Sequence, residues 1–305
     1  MGNQTYLSEF ILLDLSDLSD FQIPVFLLFF FTYVAALAGN ILIIFLVVTD
    51  SHLQTPMYFF LGNLSVLDIF TASFSTSHLL FDIFTGNRLL LHSTCIAQVF
   101  FLDWFAYTEV FLLAVMSYDR YVAICHPLHY TTMISTYLCI QLASIIWVIG
   151  SLCSLAHTLS ALSLDFCGST TIPGLFCELY QLIQLSCSDT FLSDLLVFLI
   201  SINLGGIAFS STFLSYIYIF KTILRIKLKE SRTKAFSTCS SHLTVVILFY
   251  GTYIFNYFHP NTEKFPVERL VSAVYTLFTP FLNPLIYSLR NSELRGAVRR
   301  ALVRL

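Results

Sequence analysis

Along this chain, runs of apolar residues too long for a soluble core alternate with short, turn-rich polar segments. The runs fall at Pro24–Val48, Met57–Leu80, Ile96–Tyr121, Tyr137–Leu162, Phe191–Phe220, Phe236–Phe258 and Val267–Leu289. Each exceeds the ~20 residues that a helix needs to cross ~30 Å of hydrocarbon. Between them stand Thr55-Pro56, Thr85-Gly86-Asn87, His126-Pro127, Pro173-Gly174 and His259-Pro260-Asn261, which are turn-forming residue types. A β-barrel would show short segments of period two, and these are long and unbroken. The pattern predicts an all-α membrane protein: a seven-transmembrane helix bundle, its third and fifth spans the least sharply bounded. It divides the chain into an N-terminal tail (1–23), a seven-span body (24–290) and a C-terminal helix and tail (291–305).

Composition agrees. Of 305 residues, 57% are hydrophobic and 11% charged, with 31 Phe and 16 Tyr, and the mean hydropathy is +0.79. Soluble domains carry about 25% charged residues, so a water-soluble enzyme and a disordered chain are both excluded. A net charge of −3 argues against nucleic acid as a partner. No charged n-region and small-residue cleavage site precede the first run, so no cleavable signal peptide is expected.

Lys and Arg orient the bundle. Arg120 stands at the inner end of the third span, Lys221, Arg225, Lys227, Lys229, Arg232 and Lys234 follow the fifth, and Arg290, Arg295, Arg299, Arg300 and Arg304 follow the seventh. The opposite face has only Arg88, Lys264 and Arg269, and the N-terminal tail holds Glu9, Asp14, Asp17 and Asp20 instead. The positive-inside rule therefore puts the N-terminus outside and the C-terminus in the cytoplasm of a multi-pass plasma-membrane protein. That makes Asn3-Gln4-Thr5 a usable glycosylation sequon, whereas Asn63-Leu64-Ser65 lies within a span. Of the eight cysteines, Cys95, Cys167, Cys177 and Cys187 fall on the oxidising side. Four such thiols should pair, and three connectivities are open. No Cys-x-x-Cys spacing or nearby His supports zinc.

Ionisable side chains within spans are costly and mark function by default. Asp68, Asp103, Glu109 and the boundary pair Asp119-Arg120 qualify. On one helix, Glu109 and Arg120 face within about 20° of each other, and Leu102, Ala106, Leu113 and Met116 fall near that stripe. Asp103 is rotated about 100° from it and sits ~12 Å below the outer surface. Cys95 to Arg120 spans ~38 Å, a full crossing. The arrangement suits a device that connects an external ligand to an internal partner. The plainer reading makes Asp68 and Glu109 protonated structural residues of the core.

The residues also resemble a family. Met116-Ser117-Tyr118-Asp119-Arg120-Tyr121-Val122-Ala123-Ile124-Cys125-His126-Pro127-Leu128-His129-Tyr130 is similar to the third-span signature of vertebrate odorant receptors. So, in order, are Gly39-Asn40, Leu53-Gln54-Thr55-Pro56-Met57-Tyr58-Phe59-Phe60-Leu61 through Asp68, and Lys234-Ala235-Phe236-Ser237-Thr238-Cys239-Ser240-Ser241-His242-Leu243. Pro280-Phe281-Leu282-Asn283-Pro284-Leu285-Ile286-Tyr287-Ser288-Leu289-Arg290-Asn291 completes the set. Odorant receptors are rhodopsin-like G-protein-coupled receptors, and the resemblance covers nearly the whole chain.

The resemblance implies roles at matching positions. Arg120, within Asp119-Arg120-Tyr121, would engage the G protein when the sixth helix swings out, and Asn283, Pro284, Tyr287 and Tyr216 would rearrange with it. Asp68, Asn40 and Glu109 would line a sodium site of the inactive state. Sodium is thus the one candidate modulator, and no cofactor is expected. Cys95 would pair with Cys177, and Cys167 with Cys187. Pro284 would supply a kink that can hinge. There are departures as well. Phe249-Tyr250-Gly251 replaces the usual Trp-centred toggle, as in other odorant receptors. Glu178-Leu179-Tyr180-Gln181 puts the outer-loop geometry in question, and Ser117 stands where Ala is usual. The segment after Arg290 has no Cys, so palmitoylation there is not expected. Its Arg295, Arg299, Arg300 and Arg304 read as a membrane-surface helix on anionic lipid.

A small, mostly apolar volatile ligand is expected in the outer half of the bundle, with a stimulatory G protein of the olfactory type as partner and cyclic AMP as output. Its walls would be Leu102, Asp103, Ala106 and Tyr107, with Ile200, Ser201 and Leu204. Tyr253, Ile254 and Tyr257, with Ala273 and Thr276, would complete them. Helical spacing puts each set on one face, although any one Leu or Tyr of this kind is more often core packing than contact, so about half of the set is expected to touch ligand. Asp103 is a tempting amine anchor, but its rotation aims it aside, so aldehydes, alcohols, esters or ketones are expected ahead of amines. Rival functions fit less well. A transporter should show inverted repeats, and none is visible. No Gly-x-Ser-x-Gly or His-Glu-x-x-His motif supports an enzyme, and the seventh span has no Lys for an opsin Schiff base. A ligand-independent seven-helix protein remains the alternative.

Overall fold

A computed structural model describes residues 9–12, 22–85, 89–167, 171–172, 175–258 and 274–304. Asn3 and Ala273, and the side chains of Tyr253 and Tyr257, lie outside the described residues. The span helices are α1 (Gln22–Thr49), α2 (Pro56–Thr85), α3 (His92–Cys125), α4 (Thr136–Leu162), α5 (Phe191–Arg225), α6 (Lys229–Phe258) and α7 (Thr279–Arg290). A further helix, α8 (Ser292–Arg304), follows α7 almost directly. Among the described residues, α1 to α5 are each long and apolar enough to cross a membrane. The 28 residues of α1 rise ~42 Å against ~30 Å of hydrocarbon. α6 begins within the basic segment at Lys229 rather than at Phe236, the start of the apolar run, and among the described residues its apolar stretch is Cys239–Thr252.

The ends follow local chemistry. Asp50 accepts from the His52 N–H at 3.0 Å and caps the turn Ser51–Leu53, and Pro56 opens α2, where its missing N–H costs nothing. Ser135 accepts from the Leu138 N–H and starts α4. Asn291 accepts from the Glu293 and Leu294 N–H groups at 3.0 and 3.3 Å and starts α8. Within the spans, Thr32, Ser75, Ser117 and Thr158 each donate to the carbonyl four residues back, so hydroxyls are satisfied without water.

Two interruptions are not periodic features. Phe198–Leu204 of α5 and Val274–Phe278 before α7 are π-helical. At Pro284 the missing N–H leaves the Pro280 carbonyl without its helical donor. Asn40 of α1 supplies one instead, its Nδ2 lying 2.9 Å from that oxygen. Close helix contact depends on glycine here: a Cβ at Gly39 would lie 2.9 Å from Pro284 Cβ, and one at Gly150 would lie 2.5 Å from Thr108 Oγ1.

Large apolar side chains face both ways, as bilayer solvation requires. Leu64, Leu67, Leu112, Leu113 and Phe249 are buried inside, whereas Ile41, Phe45, Ile140, Ile145, Leu152 and Phe213 are exposed outside. Asn63, the in-span sequon residue, is committed within the bundle. It donates to Phe59 O at 2.9 Å and accepts from Trp147 Nε1 at 3.3 Å. One element was not anticipated. At one end of the bundle, β1 (Glu9–Leu12) pairs antiparallel with β2 (Leu89–Leu91) and parallel with β3 (Thr171–Ile172). Phe10 at its centre is fully buried against His92 and Phe166.

Candidate functional site

The end bearing the small sheet is closed by a cross-linked loop. Cys95 is bonded to Cys177 and Cys167 to Cys187, with Cα–Cα distances of 5.3 and 5.9 Å, as the resemblance implied. The Cys177 N–H donates to Gln98 Oε1 at 3.0 Å, fixing the loop on α3. The unusual Glu178-Leu179-Tyr180-Gln181 stretch turns into a short helix, Leu179–Leu185, that buries Leu179 and Leu182.

Beneath this loop the expected ligand residues fall into two groups. Leu102 packs with Phe29, Leu79, Phe176 and Leu277, on the side of α1, α2 and α7. Thr276 belongs to that side too. It is buried, and its carbonyl accepts from Ser75 Oγ at 3.3 Å. Asp103, Tyr107 and Ser201 instead converge toward α4 through a residue absent from the sequence-based set, His157. Its Nδ1 lies 3.0 Å from Asp103 Oδ2 and 3.3 Å from the Tyr107 hydroxyl, which lies 2.7 Å from Ser201 Oγ. Ser201 sits in the π-helical stretch of α5. Ala106, Ile200 and Leu204 are half-buried, and Ile254 is 44% exposed. His157 had a signal: it is an ionisable residue inside a span.

Midway along the bundle, Asn283 Nδ2 donates to both Asp68 oxygens at 3.1 Å. Glu109 is buried within electrostatic reach of Asp68. Among the described residues, Asn40 Oδ1 and Asn283 Oδ1 are buried without a hydrogen-bond partner. Asn40 is tied by its amide nitrogen to the backbone of α1 and α7.

At the far end, Arg120 is held by its neighbour. Its Nη2 lies 2.5 Å and its Nε 3.1 Å from Asp119 Oδ2. Asp119 is fully buried, and its other oxygen accepts from the Tyr130 hydroxyl at 2.8 Å. Tyr130 belongs to a one-turn helix after α3. Burial and the Asp119 carboxylate push its phenol pKa upward, so it remains a donor. Tyr121 bonds His126 Nε2 at 3.1 Å. Tyr216 bonds His242 Nδ1 at 2.6 Å with the rings stacked. A cavity of about 10 Å³ lies among Met57, Met116, Arg120, Ser241, His242, Tyr287 and Asn291. Ser241 Oγ, His242 Nε2 and Tyr287 OH find no partner among the described residues, and this space suffices for a single water. Arg300 of α8 reaches Asp50 with Nη2 at 2.7 Å and Nε at 2.8 Å. Gly296 leaves it room, since a Cβ there would lie 3.2 Å from Arg300 Nη1. Burial opposes ionisation of Asp50, but the His52 N–H, Arg300 and the His52 ring bring its pKa down to about 2.

Comparison with known proteins matches residues 29–304 to the family model described as olfactory receptor. The chain is 44% identical over 299 residues to olfactory receptor 1G1 of Gorilla gorilla gorilla, covering 98% of this chain and 96% of that one. It is 44% identical over 304 residues to olfactory receptor 7C1 of Homo sapiens, at 99% and 95% coverage. It is 46% identical over 305 residues to olfactory receptor 7A40 of Mus musculus, at 100% and 99% coverage. A described bundle of apolar helices, the two disulfides and a near full-length match agree: this chain belongs to the olfactory receptor family, non-enzymatic seven-helix G-protein-coupled receptors of the membrane.

Proposed function

We propose that this receptor binds a small, mostly apolar volatile ligand in the disulfide-capped half of the bundle and activates a stimulatory, olfactory-type G protein through Arg120, raising cyclic AMP. Residues 1–23 lie outside the cell with Asn3 glycosylated, 24–290 form the receptor body, and 291–305 lie in the cytoplasm. The asymmetry of Lys and Arg supports that orientation in the plasma membrane.

The observation that carries the reading is the continuity of α3. One unbroken helix, His92–Cys125, bears the Asp103–Tyr107 cluster near one end, Glu109 in the middle and the Asp119–Arg120 pair at the other. A shift of α3 or its neighbours at the ligand end therefore changes the packing around Arg120. The ligand site is assigned to Leu102, Asp103, Ala106 and Tyr107 of α3, Ile200, Ser201 and Leu204 of α5, Tyr253, Ile254 and Tyr257 of α6, and Ala273 and Thr276 before α7. Coupling is assigned to Asp119, Arg120, Tyr121, Tyr216, Asn283, Pro284 and Tyr287.

Sodium is the proposed modulator at mid-membrane. The Asp68 and Glu109 carboxylates and the buried, unpartnered amide oxygens of Asn40 and Asn283 are the oxygen donors a hard cation takes. Bound there, the ion would neutralise carboxylate charge and favour the arrangement in which Arg120 stays on Asp119. A chemically diverse odorant panel tests the reading through cyclic AMP in cells. Wild type should respond to a subset of the panel, and Arg120→Ala should reach the surface yet produce no cyclic AMP. An undiminished Arg120→Ala response would contradict the assignment.

A further inference from the structure

Asp103 is not free to act as a lone counter-ion for a ligand, because His157 of α4 already occupies it at 3.0 Å. The protons of this cluster can be placed from geometry. A carboxylate facing Nδ1 requires a proton on that nitrogen, so Nδ1–H donates to Asp103 Oδ2, with the Tyr107 oxygen as a longer second acceptor at 3.3 Å. The Tyr107 O–H then donates to Ser201 Oγ at 2.7 Å. On α4, His157 Nε2 is buried and has no partner among the described residues.

Charge balance sets what Nε2 offers. No Lys or Arg occurs in α3 before Arg120, in α4, or in α5 before Lys221. The other carboxylates of these helices in this half are Glu109, further along α3, and Asp194, near the start of α5. His157 is the basic residue that the structure places on Asp103. The pair is neutral as a whole, the state that burial favours, when one proton lies between Asp103 Oδ2 and Nδ1 and a second sits on Nε2. Nε2–H is then a donor awaiting an acceptor. Ser201 lies in the π-helical stretch Phe198–Leu204, an irregularity common at functional sites.

We propose that the Asp103–His157 pair is the polar anchor of the ligand site, with His157 Nε2–H donating to the oxygen of a neutral aldehyde, ketone, ester or alcohol. Asp103 acts on the ligand through His157, as a positioning residue. An amine gains little, because the carboxylate it would seek is already neutralised. This inference rests on the odorant-receptor reading above.

The test uses the full receptor in cells, with surface level measured alongside cyclic AMP. The probes are chain-length-matched aldehydes, ketones, esters, alcohols, thioethers and primary amines, applied to wild type, His157→Phe, His157→Gln and Asp103→Asn. The most potent wild-type agonists should be oxygenated. His157→Phe should weaken them about tenfold or more, the worth of one buried hydrogen bond whose loss leaves its partner unsatisfied, and change their thioether analogues far less. His157→Gln, which keeps a donor, should restore most of the potency, and it carries the comparison if the Phe variant does not reach the surface. Equal losses for oxygenated and thioether ligands would show a merely structural His157 and overturn the proposal. So would unchanged potency, or an amine as best agonist whose response is lost in Asp103→Asn. Wild-type silence across the panel at normal surface level would instead sink the odorant reading, and this inference with it.

Discussion

Removing one hydroxyl from Tyr130 should raise the receptor's activity without agonist. In the structure Asp119 is fully buried and divides its oxygens between Arg120 and the Tyr130 O–H, which donates at 2.8 Å. Tyr130→Phe keeps the ring and deletes only that donor. A hydrogen bond to a charged acceptor contributes about 1.5–3 kcal/mol, and half-burial of Tyr130 places it toward the low end. If the bond exists only while Arg120 is held on Asp119, its loss multiplies the active-to-inactive ratio about tenfold. A receptor active about 1% of the time would become active about 10% of the time. Basal cyclic AMP at matched surface density, with the agonist maximum as reference, reads this directly. Basal output equal to or below wild type would refute the reasoning, because it would mean that Tyr130 does not restrain Arg120.

Other outcomes follow from the same structure. Glycosidase digestion of surface receptor should shift its gel mobility, and Asn3→Gln should remove the shift; an N-terminus reachable only after permeabilisation would reverse the orientation. Cys95→Ser opens a link spanning 82 residues, a loss typically worth about 2–5 kcal/mol in small secreted domains. Its surface level should therefore fall sharply, as flow cytometry would show. For the loop–α8 clamp, Asp50 has a folded pKa of about 2 against an ordinary value of 3.8. Its stabilising contribution is thus complete above about 3.8 and lost as pH falls toward 2. Thermal unfolding of purified receptor at a series of pH values should show wild type losing its advantage over Asp50→Asn only in that acid window.

Much of this was legible in sequence because hydrocarbon imposes long uniform runs, which mark helices regardless of tertiary detail. The 100° offset of Asp103 from the Glu109–Arg120 stripe correctly aimed it off the central face, and the structure shows where it goes, to His157. His157 is hard to read from sequence because a single His in an otherwise apolar fourth span has no local partner. Its meaning comes from residues 54 and 50 positions away. The Arg300–Asp50 clamp, separated by 250 residues, is hidden for the same reason. Strands of two to four residues such as Thr171–Ile172 and Glu9–Leu12 exist only by pairing with one another, and no local period announces them. The π-helical stretch in α5 likewise leaves the apolar run unbroken, so hydropathy cannot see it.

The central claim is that α3 links a ligand site at one end to a G-protein site at the other, and binding linkage tests it most directly. Agonist affinity should be measured on membranes with and without the olfactory-type G protein in its nucleotide-free form. The account predicts that the G protein tightens agonist binding by several-fold to about a hundredfold. Arg120→Ala should abolish that tightening while agonist still binds. An agonist affinity indifferent to the G protein, or a shift that survives Arg120→Ala, would contradict the account.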